Sequence, residues 1–376
     1  MFRNRSCLGI IYFCLFLFVL VLYGCGKLET PKQYKTSPMD NFDALWHILD
    51  ERYCFFDIKF KDKDGWNKVY DKYKIQIKDE MSEDELFFVL NSMIGELRDG
   101  HVNISTYFDY GRNWEWKDIY PETGEEREKV NLNTNVLANY LGDDYRIAGA
   151  ISYRMITYNN HANDSIGYMR ISSFSSSVNN SNVDGALIRL KDCKGLIIDI
   201  RNNGGGSLSY SDLLASHFFN SQHYDDSGKG RLVGYIKHKK SKEHYDFSEP
   251  KPVYLKSIDK GVVWLRPVIV ITNGGVYSAA NDFVMKMKGL KHVVILGDDS
   301  GGGSGMPMSS ELPNGWGVRY SSCRMTNVNN AAVEFGIKPD VRLNMNKQDI
   351  VLDIDTYIER AILEIKKFYK KANKKN

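Results

Sequence analysis

From Ser165 onward the chain alternates short apolar runs with stretches of helical periodicity, and few folds accept that order. Ile166–Ile171, Gly195–Ile200, Pro267–Ile271 and Val293–Leu296 have the length and apolar character of strands buried inside a parallel sheet. Asp184–Lys191, Ser209–Phe219 and Ala279–Lys288 lie among them with apolar residues at helical spacing. Strand, crossover helix, strand is the unit of a parallel sheet, so the expected fold class is α/β. A closing helix over Ile354–Phe368 is signalled by Ile354, Tyr357, Ile358, Ala361, Ile362 and Ile365. The alternation is interrupted over 220–263, where density in Lys, Tyr, Asp and Ser suggests surface β-hairpins.

Upstream of this core the pattern differs. Residues 38–100 read as a helical subdomain: Phe42, Leu45, Trp46, Leu49 and Tyr53 mark one helix face, and Ser82 with Glu85 makes a capping box before Leu86–Leu97. Residues 101–164 are rich in Tyr, Asn, Asp and Gly and read as strands and loops, with no recognisable PDZ module. At the N-terminus Arg3 and Arg5 precede the apolar stretch Leu8–Leu22, which fits a signal peptide over 1–24. Its end, Leu22-Tyr23-Gly24-Cys25, resembles a bacterial lipobox, so Cys25 is expected to carry lipid and 25–37 to tether the protein to a membrane of the cell envelope. A plain secretory signal with an incidental Cys25 is the alternative. The expected organisation closes with an α/β core over 165–346 and a C-terminal helix with a basic tail over 347–376.

Composition removes several function classes. A net charge of +3 gives no field for nucleic acid, and the Lys cluster at 366–375 fits a solvated helix end. Cys54, Cys193 and Cys323 are too few and too far apart for a disulfide framework and read as buried thiols. There is no Cys-x-x-Cys or His-Glu-x-x-His, and neither Gly204–Gly206 nor Gly301–Gly305 completes a phosphate or dinucleotide loop. No cofactor or metal is implied.

Chemistry concentrates at strand ends. Ser278, in Asn273-Gly274-Gly275-Val276-Tyr277-Ser278-Ala279-Ala280, stands between an apolar strand and an amphipathic helix. There it fits two roles: an N-cap, or a nucleophile beside unpaired N–H groups that favour an oxyanion. Likewise Gly204-Gly205-Gly206, after Asp199-Ile200-Arg201-Asn202-Asn203, makes either a tight turn or a nest of amides facing a ligand.

The segment Gly195–Gly206, the Ser278 segment and Gly336-Ile337-Lys338-Pro339-Asp340-Val341 together resemble the carboxyl-terminal processing and tricorn-core family of serine peptidases, over roughly Phe42 to Val341. The resemblance implies a crotonase-like core, hydrolysis of peptide or protein substrates, Ser278 as nucleophile, and an oxyanion hole from the amides of Ala279 and of Gly205 or Gly204. Processing members use a lysine base at the position of Gly303, and Lys286 and Lys288 read as solvated surface residues. Tricorn-type members use a histidine, and Leu97-Arg98-Asp99-Gly100-His101-Val102 resembles that site, which makes His101 the base. An unperturbed imidazole titrates at about 6.5, so activity should rise through about pH 6 to 7. Glu334 stands where the tricorn pattern has a glutamate that orients the imidazole, whereas Gly100 replaces the serine that precedes the histidine. A non-catalytic binding protein on the same scaffold is the competing expectation.

Overall fold

A computed structural model of the chain describes residues 36–121, 123–127, 131–157 and 165–373. The leader, Cys25 and most of the tether lie outside the described residues. In chain order the strands are β1 (Asn103–Ser105), β2 (Arg146–Ala148), β3 (Ile151–Thr157), β4 (Ser165–Ile171), β5 (Leu196–Asp199) and β6 (Arg231–His238). They continue with β7 (Lys251–Leu255), β8 (Val268–Thr272), β9 (Val293–Gly297), β10 (Gly305–Glu311), β11 (Gly317–Thr326) and β12 (Val341–Arg342).

The larger sheet runs β12-β9-β8-β5-β4-β3-β2. Its strands from β12 to β4 are parallel, and β3 and β2 add antiparallel to that edge. Because side chains alternate across a sheet, Ile198, Val270 and Ile295 face one layer while Ile197, Ile269 and Leu296 face the other. The first layer is closed by the helices Asn180–Arg189, Leu208–Ala215 and Ala279–Met287 through Val183, Leu187, Leu214, Phe283 and Val284. The second is closed by the C-terminal helix Thr356–Asn373, which buries Tyr357, Ile358, Ala361, Ile362 and Ile365. Each aliphatic side chain buried in these layers contributes about 1.5–3 kcal/mol.

The smaller, antiparallel sheet runs β1-β11-β6-β7, with β10 also on β11. The helices Pro38–Arg52, Gly65–Lys74 and Glu83–Gly95 share one core with it: Phe42, Leu45, Leu49 and Leu90 bury together with Ile104, Val318 and Tyr320. The Ser82 capping box is present in both directions. Within 220–263, β6 and β7 pair and β6 joins β11, so this segment extends the smaller sheet. In the 101–164 region a helix, Thr134–Leu141, stands among the strands and loops; Asn133 caps it and Val136 and Leu137 are buried. Cys54, Cys193 and Cys323 are free and buried. Among the described residues no helix is long and apolar enough to cross a membrane.

Because β5, β8 and β9 are parallel neighbours, the loops leaving their carboxyl ends lie side by side. These carry Gly204–Gly206, Ser278 and Gly301–Gly303. His101 arrives from the smaller sheet, two residues before β1 begins.

Candidate active site

Ser278 follows the loop that leaves β8 and precedes the helix Ala279–Met287, with φ 57° and ψ −122°. That is left-handed backbone in a residue with a Cβ, a conformation that costs about 1–3 kcal/mol and persists only when its surroundings hold it. Here they do: the Ser278 N–H donates to Gly302 O (2.8 Å), the Tyr277 N–H to Asn203 O (3.0 Å) and the Gly301 N–H to Val276 O (2.7 Å). Although Ser278 occupies the N-cap position, its side chain makes no capping bond. Its Oγ lies 3.0 Å from His101 Nε2 instead.

Ala279 opens the helix, so its N–H has no intrahelical acceptor. The glycine turn abuts it: a Cβ on Gly205 would lie 2.8 Å from Ser278 Cβ and 2.9 Å from Ala279 N, so only glycine fits there. The Gly205 N–H donates to Asn203 Oδ1 (2.9 Å), whereas Gly204 is exposed and a Cβ there would meet open space.

His101 is buried, at 4% exposure, and its backbone N–H donates to Asp99 Oδ1 at 2.8 Å. The same carboxylate accepts from the Tyr277 hydroxyl (3.2 Å) and, through Oδ2, from Ser321 Oγ (2.8 Å). In turn the Tyr277 hydroxyl accepts from the Gly100 N–H (2.9 Å). Burial tends to raise the Asp99 pKa, but the Lys59 and His101 charges and the hydrogen bonds from the His101 backbone and Ser321 hold it below the usual carboxylate range. Burial pushes His101 down to about 4; Asp99 opposes this, and the positive charges of Arg319, Lys117 and Lys59 add to it. At neutral pH the imidazole is therefore uncharged. For Nε2 to accept the serine proton, Nδ1 must carry the other one, and Nδ1 has no partner among the described residues.

Glu334 is buried, but it does not bond His101. Its Oε1 pairs with Lys59 Nζ (2.9 Å) and its Oε2 accepts from the Ser304 N–H (2.8 Å), while its carbonyl accepts from the Gly303 N–H (3.0 Å). Burial raises the carboxyl to about 7, Lys59 opposes this, and Asp99 adds to it. Lys59 also donates to Arg98 O (2.8 Å), tying the loop that leads into His101. Glu334 thus holds the Gly302–Ser304 turn, whose Gly302 carbonyl receives the Ser278 N–H.

The possible lysine bases fall away on geometry. A Cβ on Gly303 would lie 2.4 Å from the Tyr277 ring, so no side chain stands there. Lys286 is not the solvated residue its sequence context suggests: it is buried and paired with Asp282 and with Asp212 (2.5 Å). Lys288 bonds Asp340 (2.7 Å). Asp99 and Tyr277 lie inside the quoted motifs, yet nothing in spacing marks them as partners, and Lys59 looks like any surface lysine.

The pattern of Peptidase family S41 matches residues 165–343, and that of the Tricorn protease C1 domain matches 34–95. Among solved structures, a putative peptidase from Parabacteroides merdae is 45% identical, covering 88% of this chain and 97% of its own, with a TM-score of 0.77. Mature CPAF is similar in fold, with a TM-score of 0.60 at 12% identity over 86% of this chain and 95% of its own. No curated protein sequence matches the chain.

Proposed function

The chain belongs to peptidase family S41 and is a serine-type peptidase; from that premise we propose that Ser278 is its nucleophile and His101 its general base. The observation that carries this is the 3.0 Å approach of Ser278 Oγ to an uncharged, buried His101 Nε2. His101 takes the hydroxyl proton as Oγ attacks the peptide carbonyl. The N–H of Ala279 and an amide of the Gly204–Gly205 turn hold the oxyanion, the C–N bond breaks, and the imidazolium returns its proton to the leaving amine. Water then attacks the acyl-enzyme with His101 again as base, releasing the acid and restoring Ser278.

Asp99 is the negative group through which the site steadies the imidazolium, and Glu334 acts one step away, by fixing the turn that holds Ser278 and, with Lys59, the loop before His101. The parallel core with a nucleophile at a strand-to-helix turn supports a crotonase-like fold. The apolar run Leu8–Leu22 before Gly24-Cys25 supports a cleaved leader, a lipid anchor at Cys25 and a location in the cell envelope.

The mechanism is tested by fluorophosphonate labelling and peptide hydrolysis with wild type, Ser278→Ala and His101→Ala. Labelling of the wild type alone, with turnover lost in both variants, is expected; retained turnover in Ser278→Ala overturns it. The non-catalytic alternative is not favoured.

A further inference from the structure

Two cavities lie at the site, one bounded by Ser278 itself and the other by Lys117 and the loop that leads to Ser278. One, of about 160 Å³, is lined by Ser278 together with Leu208, Met285, Met306, Val333 and Arg319. The other, of about 560 Å³, is lined by Lys117, Asn202, Asn273, Gly274 and Gly275, and exposed Glu115 and Asp118 also border it.

Each cavity presents one cation that the protein leaves without a counter-ion. Lys59, Arg127, Lys286 and Arg324 all pair with carboxylates. Among the described residues, Lys117 and Arg319 pair with none. The Lys117 ammonium rests on aromatic faces, 3.8 Å from the Trp114 ring centre and 4.2 Å from that of Tyr277. A Cβ on Gly100 would lie 3.1 Å from it, which places the ammonium against the residue before His101. Burial pushes Lys117 down to about 8, with Asp99 opposing. Arg319 lies on β11 opposite Asn103 of β1 and, two residues from Ser321, shares the sheet face that meets Asp99.

A half-buried cation without a partner is unfavourable unless the opposite charge arrives with a ligand. Building on the serine-peptidase assignment, we propose that the substrate is an acidic peptide whose carboxylates pair with Lys117 and Arg319 on either side of the bond that is cut. Such carboxylates come from Asp or Glu side chains or from a free C-terminus, and both make charge-assisted bonds with an ammonium or guanidinium.

The test is a set of internally quenched peptides of one sequence, varied as Glu, Gln or Lys around the cleaved bond and as free acid or amide at the C-terminus. Values of kcat/KM are measured for wild type, Lys117→Gln and Arg319→Gln at low and high salt. Carboxylate peptides should exceed their amide counterparts by about 10- to 100-fold in the wild type, with the difference mainly in KM. The preference should shrink in each variant and at high salt. A preference that follows Glu assigns the carboxylate to side chains; one that follows the free acid assigns it to the C-terminus. Calorimetric binding of the same peptides to Ser278→Ala should show the same ratio with both cations intact. Equal turnover of carboxylate and amide peptides by the wild type, or a preference undiminished in both variants, overturns the inference. A wild type that labels with fluorophosphonate yet shows no charge preference removes this inference alone. Absence of both labelling and turnover removes the mechanism, and the inference with it.

Discussion

Tyr277 and Gly100 are matched: the tyrosine hydroxyl accepts the Gly100 N–H at 2.9 Å, and a Cβ at Gly100 would lie 3.0 Å from that same oxygen. The hydroxyl therefore occupies the place that a side chain before the histidine would take. Removing it with Tyr277→Phe leaves a backbone N–H unpaired and takes one donor from Asp99, which costs about 1–3 kcal/mol. Turnover should fall with stability. Adding Gly100→Ser to Tyr277→Phe brings a hydroxyl beside the vacated position, with its Cβ 3.0 Å from the retained ring carbon and 3.1 Å from the Lys117 ammonium, so with a small shift of those side chains the double variant should recover part of both losses in urea unfolding and in kcat/KM. A double variant as stable as Tyr277→Phe that recovers no turnover would show that the site does not need a hydroxyl there.

The pH dependence follows from the burial of His101. The base must be neutral to accept the Ser278 proton, and its pKa is pushed down to about 4 by burial first, with Asp99 opposing and Arg319, Lys117 and Lys59 adding to the fall. Protonation then removes activity only below about pH 5, and the acid limb of kcat/KM should have its midpoint near 4. That lies well below the limb at pH 6 to 7 expected of an unperturbed imidazole. Asp99→Asn removes the charge that raises the pKa, so the limb should move lower still while kcat drops about 10- to 100-fold for want of the nearby negative charge that favours the imidazolium. A midpoint that remains near 6.5 in the wild type would contradict this account.

The Lys59–Glu334 pair separates a positioning carboxylate from one that acts on the imidazole. Both side chains are fully buried, so removing one partner strands the other charge at a cost of about 3–5 kcal/mol. Lys59→Met and Glu334→Gln should each lower the urea midpoint strongly, and the double variant should lie closer to wild type than either. Under conditions where Glu334→Gln is folded, its kcat should fall less than that of His101→Ala, because no hydrogen bond links Glu334 to the ring. Equal losses would mean that Glu334 acts directly on His101.

Local pattern made much of this legible in the sequence. Apolar runs located β4, β5, β8 and β9, a capping box located the helix Glu83–Gly95, and the three ordered motifs singled out Ser278, as the Leu97–Val102 segment singled out His101, for the roles proposed above. The surroundings of His101 were not legible, because they depend on burial among segments distant in sequence. Lys59 is a buried cation only because Arg98 and Glu334 meet it, and Asp99 is held by Tyr277 and Ser321, far along the chain. Lys286 looked exposed for the same reason, since Asp212 and Ser211 come from another helix. The helix Thr134–Leu141 was masked by the Asn-rich sequence around it, although Asn133 before buried Val136 and Leu137 was a usable signal.

The strain at Ser278 gives a prediction independent of any substrate. With φ 57° and ψ −122° the backbone is one that glycine adopts without a Cβ penalty. Ser278→Ala keeps the penalty and deletes the bond to His101, whereas Ser278→Gly deletes both. Glycine ordinarily costs about 0.5–1 kcal/mol relative to alanine within regular structure, through its freer unfolded chain. Here the order should reverse, with Ser278→Gly more stable than Ser278→Ala by about 1 kcal/mol in urea unfolding. Both variants should be inactive, so the comparison reads the backbone alone. If Ser278→Gly unfolds first, the turn is not strained, and Ser278 is held by its hydrogen bonds without opposition from its own conformation.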